Sequence, residues 1–140
     1  MIPKNIIIHH SLTKDSGTVS WGAIRKYHIE TLGWDDIGYN FGIELVGDHY
    51  EILIGRMPNV QGAHTKGMNH DSLGICMVGN FDIESPPKEQ WDMGVKLCEY
   101  LMHIYDIQPD NIYAHRDWAS YKSCPGNMFS IMAFRMELYL

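Results

Sequence analysis

Apolar and polar positions change period several times along the chain, and each change marks an element. Ile6-Ile7-Ile8 is a short β-branched run that gives way to the polar stretch from Ser11 to Asp15, which predicts a buried strand from Asn5 to His9. After the loop through Gly17, Trp21, Ile24 and His28 fall at helical spacing, with Thr18 or Ser20 as the expected cap and Gly33 as the stop. His28 lies on that helical face and reads as a packed, hydrogen-bonded histidine. From Gly38 to Arg56 the period is two. Tyr39, Phe41, Ile43 and Leu45 alternate with Asn40, Gly42 and Glu44, and Tyr50 to Ile54 continues beyond Gly47-Asp48 as the second arm of a hairpin.

The segment from Met57 to Asp71 is rich in Gly, Asn and His, which suits the wall of a groove better than a core element. Leu73 to Val78 reads as a second fully buried strand, ended by Gly79-Asn80. Ser85 followed by Pro86 is the expected start of a helix, on which Trp91, Val95, Cys98, Met102 and Tyr105 recur on one face. Pro109-Asp110 breaks the pattern, Ile112 to His115 makes a short strand, and Met128 to Leu140 a last helix whose methionines are expected to pack. Short strands interspersed with helices predict an α/β domain with a mixed central sheet flanked by helices.

Composition narrows the picture. A chain of 140 residues with 45% hydrophobic content is large enough for one domain with a core of its own. The formal net charge of -6, with no basic patch, argues against nucleic acid as a partner. Three cysteines, Cys76, Cys98 and Cys124, form no disulfide framework, and Cys76 and Cys98 read as buried thiols. The apolar run near the start is too short for the core of a signal peptide, so the chain is expected to stay in the cytoplasm of the cell that makes it. No stretch is long enough to span a membrane.

Candidate chemistry gathers at Tyr113-Ala114-His115-Arg116-Asp117-Trp118-Ala119-Ser120-Tyr121-Lys122-Ser123-Cys124-Pro125-Gly126. An imidazole and a thiolate are both good zinc ligands, and the loop from His115 to Cys124 can bring the two onto one ion. A third ligand is available at the far end of the chain, where a strand carries His9-His10. Successive strand residues point to opposite faces, so only one of that pair can join them. Three protein ligands leave the open position that a catalytic zinc keeps, whereas a structural zinc has four. Taken alone, His115 reads as a hydrogen-bonded histidine rather than a ligand, and Cys124 as a small buried thiol.

Five segments then occur in one order: Ile6 to Ser11, Gly33 to Phe41, Gly62-Ala63-His64-Thr65-Lys66-Gly67-Met68-Asn69, Ser72 to Gly79, and His115 to Gly126. Together they resemble the zinc-dependent N-acetylmuramoyl-L-alanine amidases, a family that includes the peptidoglycan recognition proteins, and in particular the short phage lysozyme-type amidases, or endolysins. Met68 departs from the aromatic often found after Lys-Gly, and Met77 and Asn80 replace a common Leu and Gly. The resemblance implies the family's fold over residues 1–140 as a single zinc amidase catalytic domain, with one zinc at the edge of an open groove. It also assigns the ligands as His9, His115 and Cys124. Tyr39 and Lys122 match the family's catalytic tyrosine and lysine; His64 becomes a substrate contact, and His10 a residue lining the groove.

The same resemblance implies a cut in the cell wall, between N-acetylmuramic acid and L-alanine, with peptidoglycan or a muropeptide as partner. The negative charge gives no electrostatic pull toward an anionic wall, so groove contacts have to make the recognition. A monomer is expected, acting on the wall once another factor has opened the membrane. Two other classes stand beside this one. A peptidoglycan-binding receptor keeps the groove without the reaction, but such proteins typically lack the cysteine, which is present here as Cys124. The resemblance to phage amidases also raises a regulatory role through an RNA polymerase partner.

Overall fold

A computed structural model describes residues 1–13 and 20–140. Five strands form one mixed sheet: β1 (Asn5–His10), β2 (Phe41–Val46), β3 (His49–Ile54), β4 (Ser72–Met77) and β5 (Ile112–Ala114), in the order β3-β2-β4-β1-β5. β1 pairs in parallel with β4 and β5, β4 in parallel with β2, and only the β2–β3 hairpin is antiparallel. The central strands are therefore buried on both faces, which is why Ile6, Ile7 and Ile8 and the whole of β4 are apolar or small.

Among the described residues three α-helices, α1 (Ser20–Lys26), α2 (Lys88–Tyr105) and α3 (Ile131–Leu138), accompany the sheet. One core layer joins Ile6, Ile8, Phe41, Ile43, Leu73, Ile75 and Met77 to Val95, Cys98, Leu101, Phe134 and Leu138 of α2 and α3. A smaller layer on the other side packs Trp21 of α1 with Ile37, Cys76 and Val78. Each aliphatic side chain so enclosed contributes about 1.5–3 kcal/mol relative to exposure. Among the described residues no helix is long and apolar enough to cross a membrane.

Several boundaries differ from the periodicity. The long helix begins at Lys88, with Pro87 extended at its cap and no side-chain cap, rather than at Ser85-Pro86. Pro87 keeps the residue before it out of the helical region, so the second proline sets the start. Ser20 is the first residue of α1; its N–H and that of Trp21 donate to Oε1 and Oε2 of Glu44 at 2.7 and 2.6 Å, so a carboxylate from β2 caps that helix. Thr18, the other expected cap, lies outside the described residues. That contact also explains why Glu44 is buried where alternation would expose it. After Lys26 the chain widens into a π-helical turn, Tyr27–Thr31, before Gly33 ends it at φ +73°. Tyr39 and Asn40 precede β2 rather than belonging to it.

The C-terminal helix is shorter than expected, Ile131–Leu138, with Ser130 capping Ala133 N–H. Its methionines do not pack: Met132 and Met136 are 71% and 58% exposed, and the buried face is Phe134 and Leu138. β1 runs one residue further than expected, to His10, and β4 spans Ser72–Met77 instead of Leu73–Val78. β5 stops at Ala114, so that His115 begins a 3-10 turn.

Candidate functional site

Strand β1 delivers His9 to the sheet face opposite the α2 layer, paired with Cys76 of β4 in register. His115 sits at the start of the 3-10 turn that follows β5, and Cys124 returns on the loop after it. One ligand atom from each of His9, His115 and Cys124 lies within 4.8 Å of the others. The His9 and His115 rings are 4.4 Å apart at their centroids, and His9 Nδ1 is 3.8 Å from Cys124 Sγ. All three line a cleft of about 430 Å³.

That loop is shaped by residues that no ligand or catalytic pattern singles out. Arg116 turns inward and its guanidinium donates to the carbonyls of Ser123 (3.1 Å), Gly126 (2.9 Å) and Phe129 (2.7 Å), while its own N–H donates to the Cys124 carbonyl at 2.8 Å. Asp117 Oδ2 accepts the Ala114 N–H at 2.9 Å. Asp82 accepts from Ser123 Oγ at 3.0 Å and from the Asn127 N–H at 2.9 Å. Only the place of Arg116 and Asp117 inside the matching stretch could have drawn attention to them; Asp82 carries no sequence signal.

Hydrogen bonds decide which nitrogen of His9 is free. His9 Nε2 is 3.0 Å from His64 Nδ1 and 3.2 Å from Thr65 Oγ1, while His64 Nε2 meets the Ser72 carbonyl at 3.2 Å. The His64 ring sits over Gly74, where a Cβ would come within 2.5 Å of it, so only glycine in that strand admits the ring. Asn69 Oδ1 accepts the N–H groups of His64 and Thr65, each at 2.9 Å, and fixes the loop that carries them.

Electrostatics suit a metal. Burial pushes His115 down to about 4, helped by the Lys122 ammonium; burial likewise takes His64 to about 4, and His9 well below the ordinary imidazole range. These rings are neutral lone-pair donors at neutral pH. Burial raises the Cys124 thiol to about 11, partly offset by the His10 N–H that donates to its sulfur at 3.4 Å. Two neutral imidazoles and one sulfur, gathered at one edge of a cleft, are a donor set that fits zinc.

Tyr39 faces the same cleft, its ring 5.2 Å from that of His9. Burial raises this phenol well above its usual range, so it stays protonated. Lys122 is exposed, lines the cleft beside His115, and lies 5.9 Å from the Tyr121 ring centroid. A second cleft of about 330 Å³ continues past Trp34, Lys66, Asn69 and Tyr121. Two lysines and no carboxylate are among the described residues lining the two clefts, on a chain with 17 acidic and 11 basic residues.

His10 points the other way from His9. Its Nδ1 accepts the Phe81 N–H at 3.1 Å, and its Nε2 is buried without a hydrogen-bond partner among the described residues, although the residue still borders the cleft. His28 Nδ1 accepts the Gly38 N–H at 2.9 Å. Cys76 and Cys98 are free, fully buried thiols.

Comparison with known proteins agrees with this arrangement. The family model described as N-acetylmuramoyl-L-alanine amidase matches residues 1–127. The endolysin of Enterobacteria phage T3 is 43% identical over 126 residues, covering 86% of this chain and 78% of its own. Peptidoglycan-recognition protein 2 of Holotrichia diomphalia is 38% identical over 110 residues, 75% of this chain, which spans 57% of that protein's length. Among solved structures, the N-acetylmuramoyl-L-alanine amidase LysC from Clostridium intestinale URNW superposes with a TM-score of 0.85 at 29% identity, covering 100% of this chain and 87% of that one.

Proposed function

Since the chain belongs to the N-acetylmuramoyl-L-alanine amidase family, we propose that it hydrolyses the amide bond between N-acetylmuramic acid and L-alanine in peptidoglycan, with one zinc held by His9, His115 and Cys124. The observation that carries this reading is the convergence of those three side chains, from opposite ends of the sequence, at the edge of one cleft. A bound zinc supplies Lewis acidity, which makes water nucleophilic near neutral pH and draws charge from an amide carbonyl.

The chain's own groups account for the rest. The protonated Tyr39 hydroxyl would orient the attacking water and relay its proton, a role supported by the Tyr39 ring lying 5.2 Å from that of His9. Lys122 presents a positive charge where the carbonyl oxygen becomes negative, the kind of interaction that strengthens only as the transition state forms. The glycopeptide lies along the joined clefts, where Trp34 and Tyr121 offer flat apolar faces and Lys66 a cation for a stem carboxylate. A local positive lining inside an acidic protein resolves the problem that net charge poses for an anionic substrate.

Incubation with purified peptidoglycan, with and without a zinc chelator, tests the assignment by mass spectrometry of the fragments. Free stem peptides beginning with L-alanine, absent after chelation and restored by zinc, are expected. Intact peptidoglycan that nonetheless binds the protein would instead identify a receptor.

A further inference from the structure

His64 has both ring nitrogens engaged inside the protein, and its contacts form a directed chain. The Ser72 carbonyl can only accept, so His64 Nε2, 3.2 Å away, carries the ring proton. His64 Nδ1 then holds a lone pair and is an acceptor toward His9 Nε2 at 3.0 Å. The Thr65 hydroxyl, 3.0 Å from His64 Nδ1 and 3.2 Å from His9 Nε2, can accept from His9 while donating to His64. Either route puts the His9 proton on Nε2. His9 Nδ1, on the side facing Cys124, is left as the lone pair.

We infer that His64 is a positioning residue: with Thr65 it fixes the His9 tautomer and ring plane, and so prepares Nδ1 as a metal ligand before any ion arrives. The metal half of this inference rests on the zinc reading above; the tautomer half does not. Two further observations support it. The His64 and His9 rings meet edge to face at 90° with centroids 5.0 Å apart, which aims one ring's nitrogen at the other. Gly74 leaves the space that holds His64 against the sheet, and Asn69 pins its backbone. A partner that accepts the ligand histidine's second N–H also raises that ring's basicity, and its loss typically weakens metal binding about 10- to 100-fold.

The test begins with the metal-free wild-type protein. Nitrogen-15 NMR of the imidazoles should show His9 protonated at Nε2 and bare at Nδ1; the opposite tautomer overturns the inference whether or not the protein binds zinc. Zinc affinity is then measured by competition with a chromophoric chelator. Asn places an oxygen near the position of His64 Nδ1, whereas Gln reaches only toward Nε2. His64→Asn should therefore stay within about threefold of wild type, and His64→Gln should weaken by about 10- to 100-fold. A residue that merely fills space would favour Gln, so equal affinities for the two variants, or the reverse order, overturn the inference. Wild-type protein with the expected tautomer but no zinc affinity would sink the metal reading and leave the tautomer assignment standing. At saturating zinc, KM for a muropeptide should match wild type in His64→Gln; a tenfold rise would make His64 a substrate contact instead.

Discussion

His9 and Cys124 face each other across 3.8 Å, yet the chain holds them by different means. His9 rides on β1, hydrogen-bonded in register to β4 on one side and next to β5 on the other, and its direction follows from the pleat. Cys124 sits on a loop outside the sheet, touched by the His10 N–H of β1 but held mainly by the Arg116 guanidinium reaching three carbonyls and by Asp82 beneath Ser123. Backbone periodicity places one half of the site, and a few specific side chains place the other. The strand half should therefore be hard to displace, while the loop half should depend on single residues.

The most severe break is Cys124→Ser, which removes the sulfur from the loop half. Elemental analysis should show about one zinc per wild-type chain and far less in the variant, with turnover at background. Because the Cys124 thiol sits at about 11 without metal while the imidazoles are already neutral, zinc binding at pH 7 should release about one proton per chain, measured by calorimetry in buffers of different ionisation enthalpy. Retention of stoichiometric, tight zinc by the serine variant would falsify the ligand assignment.

Next in size are Tyr39→Phe, in the segment before β2, and Lys122→Ala, on the loop half. Both should keep zinc and lose about 100- to 1000-fold in kcat with little change in substrate affinity, because each group acts mainly as charge develops. Loss of zinc in Lys122→Ala but not in Tyr39→Phe would show that the loop half is more fragile than its hydrogen bonds suggest.

Arg116→Ala probes the clamp directly. Charge-assisted hydrogen bonds contribute about 1.5–3 kcal/mol each, but the freed carbonyls near the surface regain water, so a net loss of about 2–3 kcal/mol in denaturant unfolding is expected. Among the described residues no comparably placed single side chain holds the β1 backbone, and substitutions at Asn5 should cost less than about 1 kcal/mol.

Acid acts on the metal-free protein through both halves. The folded protein holds His64 and His115 near 4, whereas the unfolded chain protonates them near 6.5, so unfolding takes up protons between those values. Stability should fall as pH drops from about 6.5 to about 4, with no contribution from these groups above that window; thermal melts across it will show whether it does. The smallest effect is expected at Met132→Gln, within about 0.5 kcal/mol, since that side chain faces solvent.

Those same halves explain how much of the molecule is legible in its sequence. Ile6-Ile7-Ile8 and the run from Leu73 are buried on both faces because their neighbours are parallel strands, and continuous apolar runs signal that environment directly. The hairpin and the face of α2 are legible by the same logic. Glu44 is not: its alternation with Ile43 says outward, and only the arrival of α1 above it turns a carboxylate into a buried cap. The methionines of α3 mislead because an apolar side chain at helical spacing states a preference for burial without saying that a partner exists. At the site, the residue types are visible, but the contact between His64 and His9 links positions far apart in sequence and leaves no local pattern.

The central place of β1 has one more consequence, which concerns time. Residue 5 pairs with residue 72 and residue 6 with residue 112, so β1 leaves the ribosome well before either of the strands it pairs with. Until they emerge, Ile6-Ile7-Ile8 is an unpaired apolar edge, a segment for chaperones or for aggregation. Closing such distant pairs also makes folding slow relative to a helical domain of this size. The candidate site comes together late as well: among the described residues, the three side chains that could hold a metal, His9, His115 and Cys124, cannot meet until residue 124 has been joined.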